Sequence, residues 1–302
     1  MDFDTLKSSS SNFDKLTKAL EQNLNPEDQS NKNKYQDDRF WKPELDKTGN
    51  GYAVIRFLPA SNGEDMPWQR VWSHAFQDKG GWYIENSLTT LNQKDPVSEY
   101  NSTLWNSGIE ANKEIARKQK RRLHYISNIL VVSDPAHPEN EGQVRLFKFG
   151  KKIFDKITEA MNPEFADEVP VNPFDLWDGA NFKLKIRNVE GYRNYDKSEF
   201  ADKEPVMGGD DDKLENLWKQ EYSLKEFLEE KNFKSYDVLK ARLDKVLGFE
   251  GEVTPRTTAE DAIVEAVAPS SYELDSGLSQ VDAAIASDGD DDLDYFKNLA
   301  EG

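Results

Sequence analysis

Cysteine is absent from this chain of 302 residues, and histidine is scarce, with only three residues. Without thiols the chain cannot build a disulfide framework, a thiolate zinc site or a cysteine nucleophile. No apolar stretch approaches the roughly 20 residues that a membrane-spanning helix needs, and residues 1–16 show no apolar signal segment. The sequence therefore predicts a soluble, intracellular protein without a secretory signal.

Basic residues are also few beside acidic ones, 39 against 57, which gives a formal net charge of −18. A negative charge argues against nucleic-acid binding, because Lys and Arg supply most of that affinity. The charge is unevenly spread, however. Residues 251–302 hold 13 acids and 2 bases, whereas residues 113–152 hold 10 bases and 4 acids. Such an uneven distribution of charge is typical of chains that contact nucleic acid with one part and carry an interaction tail in another.

Short strand patterns dominate the aromatic-rich part of the chain. The predicted strands are 52–58, 81–84, 124–132, 144–149 and 181–189. Helical spacing predicts a helix over 151–161, and two amphipathic helices over 213–247 with a break at 232–235 and Gly248 as the stop. These patterns predict a mainly β fold with packed helices (α+β), organised as a small barrel with insertions.

Composition divides the chain into three parts. Residues 1–34 form a polar arm with a short helical pattern, and residues 35–250 form the core. Residues 251–302 hold too few apolar side chains to offset the entropy of ordering, so we predict a disordered acidic tail that folds on a partner protein.

Basic and aromatic residues alternate at three places in the core. This pattern favours single-strand binding, because cations follow the phosphates while aromatic rings stack on unpaired bases, at roughly 1–3 kcal/mol per base. The three clusters are Lys120, Arg121, Arg122 and Tyr125; Phe147, Lys148, Lys151 and Lys152; and Arg187, Tyr192, Arg193 and Tyr195. The alternative is a solvated basic helix above rings that fill the core, and for Phe147 and Tyr192 it stays open.

Several ordered motifs resemble one protein family. They are GNGYAVIRFLP at 49–59, GWYIE at 81–85, NILVV at 128–132, PENEG at 138–142, FGKKI at 149–153, GANF at 179–182 and NYD at 194–196. Over roughly residues 40–250 the chain resembles the single-stranded DNA-binding, or helix-destabilising, proteins of T-even-type phages. The resemblance implies an OB-fold core with an inserted subdomain at 66–123. It also implies a cleft that holds single-stranded DNA without strong sequence preference.

The same resemblance implies roles for residues in this chain. It places Arg56 in the cleft beside the three clusters, and Tyr100 and Trp105 at further aromatic positions. It implies head-to-tail cooperativity through an N-terminal patch, for which this chain offers Lys7, Ser8 and Ser9; a generic polar terminus is the alternative. The acidic tail would compete with DNA for the cleft and recruit replication and recombination proteins, in the cytoplasm of an infected bacterial host.

The chain departs from the resemblance at one point, a zinc site with one His and three Cys ligands. His74 is in place, but Ser87, Asp95 and Ser98 stand where the cysteines belong. Serine hydroxyls are poor zinc ligands beside thiolate and imidazole. We therefore expect no zinc cofactor and a subdomain held by aromatic packing instead. The rings concerned are Trp68, Trp72, Trp82 and Tyr83.

No residues assemble a catalytic site in the sequence. The histidines are scattered, no phosphate-binding glycine loop occurs, and the Asp runs at 210–212 and 290–292 are typical of solvated charge rather than a nuclease metal site. The predicted function is therefore stoichiometric coating of single-stranded DNA in viral replication, recombination and repair. A protein-interaction scaffold and an RNA-binding module are the alternatives, and salt-dependent binding to single strands separates them.

Overall fold

In the computed structural model, the described residues are 37–165 and 167–249. The strands are β1 (Phe40–Trp41), β2 (Gly51–Phe57), β3 (Gln69–Asp78), β4 (Gly81–Asn86), β5 (Arg122–Ser133), β6 (Val144–Phe149), β7 (Ala180–Val189), β8 (Tyr192–Asn194) and β9 (Glu199–Lys203). The helices are α1 (Pro96–Asn106), α2 (Glu110–Gln119), α3 (Lys151–Met161), α4 (Asp211–Trp218) and α5 (Tyr236–Leu247). The predictions for residues 1–34, including Lys7, Ser8 and Ser9, and for residues 251–302 lie outside this region.

The described strands join into one nine-stranded sheet. Its main path runs β1-β6-β5-β2-β7-β8, while β3 joins β5, β4 joins β3 and β9 joins β7. Each pair is antiparallel except β1 with β6. Together with the helices this sheet confirms the predicted α+β class. Within the described ranges, no helix is both long and apolar enough to cross a membrane.

Strand β5 connects two parts of the sheet. Along Arg122–Ile126 it pairs with β3, and along Ile129–Ser133 it pairs with β2. Its other edge pairs with β6. The β3–β4 hairpin therefore joins the sheet through the first half of β5, while β2 joins it through the second half.

Local sequence patterns account for most of these elements. The five predicted strands and the helix over 151–161 are confirmed to within two residues at their ends. Helix α5 ends at Gly248, whose φ of 78° is the left-handed conformation that glycine adopts without strain. Strand β3 and helices α1 and α2 had no predicted counterpart.

The first of the two predicted C-terminal helices is wrong beyond Trp218. Residues 225–232 form two 3₁₀ turns instead of continuing α4. The cause is tertiary packing: Leu224 and Phe227 are buried against Val71 of β3 and Ile126 of β5. A straight continuation of α4 would have to forgo this burial, and burying large apolar side chains outweighs helix propensity.

The two largest apolar clusters of the described region lie on different parts of the sheet. The larger one includes side chains of β2, β5, β6 and β7, and in it Phe57 is fully buried and contacts Phe149, Phe174 and Phe182. The smaller one lies under α5 and joins it to the β3–β4 hairpin and α1. At Gly80 the hairpin comes so close that an added Cβ would lie 2.0 Å from the Lys245 carbonyl oxygen. Helix α5 is therefore an integral part of the hairpin's core.

Two carboxyl groups meet between the loop after β2 and the segment after α4. Glu64 accepts hydrogen bonds from Ser223 Oγ (2.7 Å) and Lys225 N (2.9 Å). Both carboxyl oxygens of Glu221 are buried without a hydrogen-bond partner among the described residues. Burial, and then the charge of Glu64, raise the pKa of Glu221 from 4.5 to about 8. Glu221 therefore keeps its proton in the folded protein at neutral pH.

We predict that Glu221→Gln makes the free energy of unfolding less dependent on pH. Between pH 4.5 and 8 the folded wild type binds more protons than the unfolded chain, so its stability decreases as the pH rises. Glutamine has no proton to lose, so the variant should exceed wild type by about 1–2 kcal/mol at pH 8.5 and lie close to it at pH 5. Urea unfolding at both pH values measures the difference.

The matched control is Glu215→Gln, because Glu215 is an exposed carboxylate paired with Lys219 on the neighbouring helix α4. This control should keep the pH dependence of wild type. Identical pH slopes for wild type and Glu221→Gln would contradict the prediction.

Candidate nucleic-acid interface

One face of the sheet, where β3, β5 and α3 meet, combines aromatic rings with arginines. We name Trp68, Arg70, Trp72, Arg121, Tyr125 and Phe154 the aromatic–basic face. Strand register brings its members together, because Arg70 lies opposite Tyr125 and Trp72 lies opposite Leu123 in the β3–β5 pair. Directly opposed side chains of an antiparallel pair point to the same side of the sheet.

Three rings of this face, those of Tyr125, Phe154 and Trp68, contact one another in series. Tyr125 and Phe154 stack nearly parallel with centroids 3.9 Å apart, and Phe154 meets Trp68 edge-on at 5.3 Å. The guanidinium of Arg121 lies 4.2 Å from the centre of the Trp72 ring. Trp68, Trp72, Phe154 and Arg121 are half-buried, so each presents part of its surface to solvent. Rings beside cations are the groups that bind unpaired bases and phosphates.

Helix α3 adds lysines to this face. Lys151 precedes Phe154 by three residues, and residues at that spacing share one side of a helix. Lys151 and Lys152 are both half-buried, and Lys151 pairs with Asp155 at 3.0 Å. Lys120 lies at the other end of the face, where α2 ends just before Arg121. The structure thus places Lys120 next to Arg121 in the chain and Lys151 on the helix that carries Phe154. Their contact with DNA stays a prediction.

Arg122 and Lys148 lie on the opposite side of the sheet, so the predicted clusters are divided. Adjacent strand residues point to opposite faces, and Arg122 donates a hydrogen bond to the Ala75 carbonyl at 3.1 Å. Lys148 lies opposite Ile126, on the side of Arg122 and His124. Loss of solvent, and then the charges of Lys148 and Arg122, lower the pKa of His124 well below its usual value.

Three predicted contact residues are buried. Arg56 is 0% exposed and donates hydrogen bonds to two backbone carbonyls. Phe147 is 4% exposed and packs edge-on against Trp41 at 5.5 Å, which favours the core alternative for this ring. Tyr125 is 6% exposed and lies beneath Phe154, so it supports the ring above it. Burial corrects the expectation that these three side chains face the ligand directly.

The third predicted cluster lies on the β7–β8 hairpin. Tyr192 is exposed, which argues against the core alternative for it, and Arg193 and Tyr195 are half-buried. Arg187 donates two parallel hydrogen bonds to Asp196, Nε to Oδ1 at 2.8 Å and Nη2 to Oδ2 at 2.5 Å. This pair raises the pKa of Arg187. Arg187 is therefore a neutralised cation rather than an isolated one.

Tyr100 and Trp105 lie on α1, in the part of the chain between β4 and β5. The Tyr100 ring contacts Phe249 edge-on at 6.1 Å. Lys113 and Arg117 of α2 both approach the Trp105 ring, each at 5.4 Å from its centre. Trp105 thus already has cations against it, and its predicted contact with DNA stays a prediction.

The four positions matched to zinc ligands meet around Asp95. Its carboxylate accepts hydrogen bonds from Ser87 Oγ at 2.9 Å and from the backbone nitrogens of Leu88 and Ser98 at 3.1 Å each. It also lies 3.2 Å from His74 Nε2. Burial raises the pKa of Asp95, but the hydrogen bonds from His74, Ser98 and Ser87, with the charge of His74, outweigh it and lower the pKa to about 2.

This set of side chains does not fit zinc. It offers one imidazole and one carboxylate, and the two hydroxyls that complete it are weak ligands. The Asp95 carboxylate is already engaged as the N-cap of α1. Within the described ranges, no three His, Cys, Asp or Glu side chains form a group that could hold a metal ion.

The four rings expected to hold the subdomain do not lie together. Tyr83 is fully buried under α5 as expected, but Trp82 is 36% exposed and Trp68 packs against the apolar cluster around Phe57. The expectation that all four rings hold the subdomain is therefore wrong for Trp82 and Trp68. Asp95 instead links β3, the turn at 88–91 and α1 by hydrogen bonds.

The chain is similar to known DNA-binding proteins over the region that carries these features. The profile of a family described as "gp32 DNA binding protein like" matches residues 49–247. The single-stranded DNA-binding protein of Enterobacteria phage T2 is 43% identical over 215 residues, which cover 69% of this chain and 70% of that protein. Its counterpart from Enterobacteria phage T4 is 42% identical with the same coverage. A single-stranded DNA-binding protein of Escherichia phage SV14 is 48% identical over 62 residues, 20% of this chain and 55% of that protein.

We predict that Asp95→Ala lowers the free energy of unfolding by about 2–4 kcal/mol. The substitution removes the N-cap of α1 and leaves the buried donors of Ser87 and Leu88 without an acceptor. Urea unfolding in the absence of nucleic acid measures the loss.

Asp210→Ala is the matched control, because Asp210 also caps a helix, accepting from Lys213 N at 3.2 Å, but is exposed. This variant should lose only the helix cap, so its free energy of unfolding should decrease less than that of Asp95→Ala. Equal losses in the two variants would show that the buried network around Asp95 adds nothing.

Proposed function

The chain belongs to the gp32 DNA-binding-protein-like family, and from this premise we propose that it coats single-stranded DNA without strong sequence preference. The family consists of DNA-binding proteins rather than enzymes. The observation that carries the proposal is the aromatic–basic face, where the half-buried rings of Trp68 and Phe154 lie near Arg121 on Trp72. Such a surface suits single strands of any sequence, because every base has a flat face that can stack on an aromatic ring.

We assign the contacts according to where each side chain lies. Trp68, Trp72 and Phe154 are proposed to stack on bases, and Arg121 and Lys151 to bind phosphates. Further contacts are proposed along the strand path. They are Tyr100, Trp105, Lys120, Lys152, Tyr192, Arg193 and Tyr195. Arg122, Lys148 and Arg187 would act through the electrostatic potential around the face, since two of them lie behind the sheet and the third pairs with Asp196.

The proposed role follows from stoichiometric binding. A protein that binds open strands but not duplexes protects them and shifts the melting equilibrium by mass action. We propose that this serves viral replication, recombination and repair, consistent with relatives named as phage single-stranded DNA-binding proteins. We further propose that β1, β2, β5, β6 and β7 form an OB-type barrel, with residues 66–123 inserted between β2 and β5.

We predict that the protein binds single-stranded oligonucleotides with a strong salt dependence, because each phosphate neutralised contributes a slope of about −0.7 in log K against log salt. Arg121→Ala should reduce that slope by about 0.7, since it removes one phosphate contact. Phe154→Ala should weaken binding roughly tenfold without changing the slope, since stacking releases no counterions. Tryptophan fluorescence titrations at several salt concentrations measure both quantities.

Arg145→Met is the matched control, because Arg145 is a cation of β6 that lies opposite Ile129, is not a member of the aromatic–basic face, and donates a hydrogen bond to the Asp38 carbonyl at 2.8 Å. It should leave affinity and slope unchanged. Absence of binding at low salt would favour the interaction-scaffold alternative, and tighter binding to RNA of the same sequence would favour the RNA alternative.

Two proposals concern segments outside the described residues. We propose that residues 1–34, with Lys7, Ser8 and Ser9, mediate head-to-tail cooperativity, so long oligonucleotides should bind more tightly per site than short ones. We propose that residues 251–302, with 13 acids and 2 bases, compete with DNA for the aromatic–basic face and recruit replication and recombination proteins. A tethered segment competes strongly because its effective concentration is high.

We predict that removal of residues 251–302 strengthens binding to short single strands several-fold at low salt. The truncation removes a net charge of −11 that opposes the phosphates. The gain should shrink as salt screens the competing charges. Fluorescence titration of both proteins over a range of salt concentrations measures it, and unchanged affinity at low salt would contradict autoinhibition by the tail.

We propose that the protein works without zinc. The support is the chemistry at the four matched positions, where a carboxylate engaged in capping and two serine hydroxyls accompany His74. The metal content of purified wild-type protein tests this proposal. It is measured on the same sample that is used for the unfolding comparison with Asp95→Ala. Stoichiometric zinc would overturn this proposal.

A further inference from the structure

Arg56 is the penultimate residue of β2 and the largest of the fully buried side chains in the described region. A guanidinium without solvent is costly unless it is hydrogen-bonded. Here Nη2 donates to the carbonyl oxygens of Asp175 at 2.6 Å and Glu204 at 3.1 Å, whereas Nε and Nη1 have no partner among the described residues. Burial lowers the pKa of Arg56, and the charges of Glu204 and Asp175 oppose this change.

The two carbonyls belong to different segments of the chain. Asp175 lies in the loop at 172–179 that precedes β7, and Glu204 follows the end of β9. Backbone hydrogen bonds also join these segments, from Glu204 N to the Gly179 carbonyl at 3.0 Å and from Val206 N to the Leu176 carbonyl at 2.8 Å. Through these hydrogen bonds, Arg56 links the loop at 172–179 and the segment after β9 to strand β2.

The loop closes tightly on the guanidinium at Gly179. An added Cβ there would lie 2.8 Å from Arg56 Nη2 and 2.3 Å from the Asp175 carbonyl oxygen. Both distances are shorter than a carbon atom tolerates, so a side chain at 179 has to push the loop away from Arg56. The contact between Arg56 and the loop at 172–179 can thus be weakened by a substitution at Arg56 or by one at Gly179.

The same loop supports the aromatic–basic face. Phe174 is 5% exposed, and its ring centre lies 5.3 Å from that of Trp68. Trp68 in turn contacts Phe154, which stacks on Tyr125. A displacement of the loop therefore moves Phe174, which removes the support beneath Trp68.

We propose that Arg56 is a positioning residue for DNA binding, which holds the loop at 172–179 so that Phe174 fixes Trp68 in a stacking position. This inference rests on the proposed function, since it explains how the face is kept in shape. It replaces the direct phosphate contact that the sequence resemblance implies for Arg56.

Arg56→Lys separates the two roles. Lysine keeps the charge, so a phosphate contact predicts affinity close to wild type. The lysine side chain ends one bond short of the position of Nη2, the nitrogen that donates to both carbonyls. Positioning therefore predicts roughly tenfold weaker binding with the salt slope of wild type. It also predicts a smaller fluorescence quench at saturating DNA, a readout that a loss of global stability alone does not change below the unfolding transition.

Gly179→Ala is the second variant, and it keeps Arg56 intact. Positioning predicts that it weakens binding and reduces the quench in the same way as Arg56→Lys. Arg145→Met is again the control, for the loss of a cation elsewhere on the barrel. Circular dichroism establishes that each variant is folded at the temperature of the titration.

The outcomes are distinct. If wild type binds and both variants retain its affinity and quench, the positioning role is wrong. If Arg56→Lys binds like wild type and Arg56→Met loses about 0.7 of the salt slope, Arg56 contacts a phosphate and the inference is overturned. If wild type itself does not bind single strands, the proposed function fails, independently of Arg56.

Discussion

The alternation of side chains along β5 is the constraint from which both the cores and the candidate site follow. This strand of 12 residues pairs with β3, β2 and β6, so its register is held on both edges. Because neighbouring residues point to opposite faces, Arg121 and Tyr125 lie on one side and Arg122 and His124 on the other. A basic stretch that is continuous in sequence therefore cannot form one continuous surface, and of this pair of arginines only Arg121 lies on the side of Tyr125, over the ring of Trp72.

Sequence patterns predict the elements whose burial is apolar and local. Strand β6 and helix α3 are examples, since apolar residues fill their buried positions. Strand β3 lacks such a run because Ser73 and His74 are buried polar residues, and His74 finds its partners, Gln119 and Asp95, in other segments. In the same way, Trp68 and Phe154 look like ordinary core residues in the sequence. Their edge-on contact, and the contact of Trp68 with Phe174, join segments that are distant in sequence, so no local pattern encodes them.

Asp95 shows how a buried carboxylate links segments that are separate in sequence, since Ser87, Leu88 and Ser98 all donate hydrogen bonds to it. A buried carboxylate carries a desolvation cost, yet the pKa of Asp95 stays near 2 because donors from Ser87, Ser98 and His74 converge on it. The same hydrogen bonds therefore stabilise the carboxylate charge and join the segments that supply the donors. The N-cap of α1 adds a contribution that a metal ligand in its place would not supply.

The net charge of −18 and the proposed affinity for a polyanion are compatible because electrostatic interactions are short-ranged in salt. At physiological ionic strength, exposed charges farther apart than about 8 Å scarcely interact. Arg121 lies directly on a ring of the candidate site, so a phosphate there experiences this cation rather than the average over the chain. The acids of residues 251–302 can oppose it only by approaching within the same distance. Their effect therefore depends on the tether that brings them there, and not on the sum of charges.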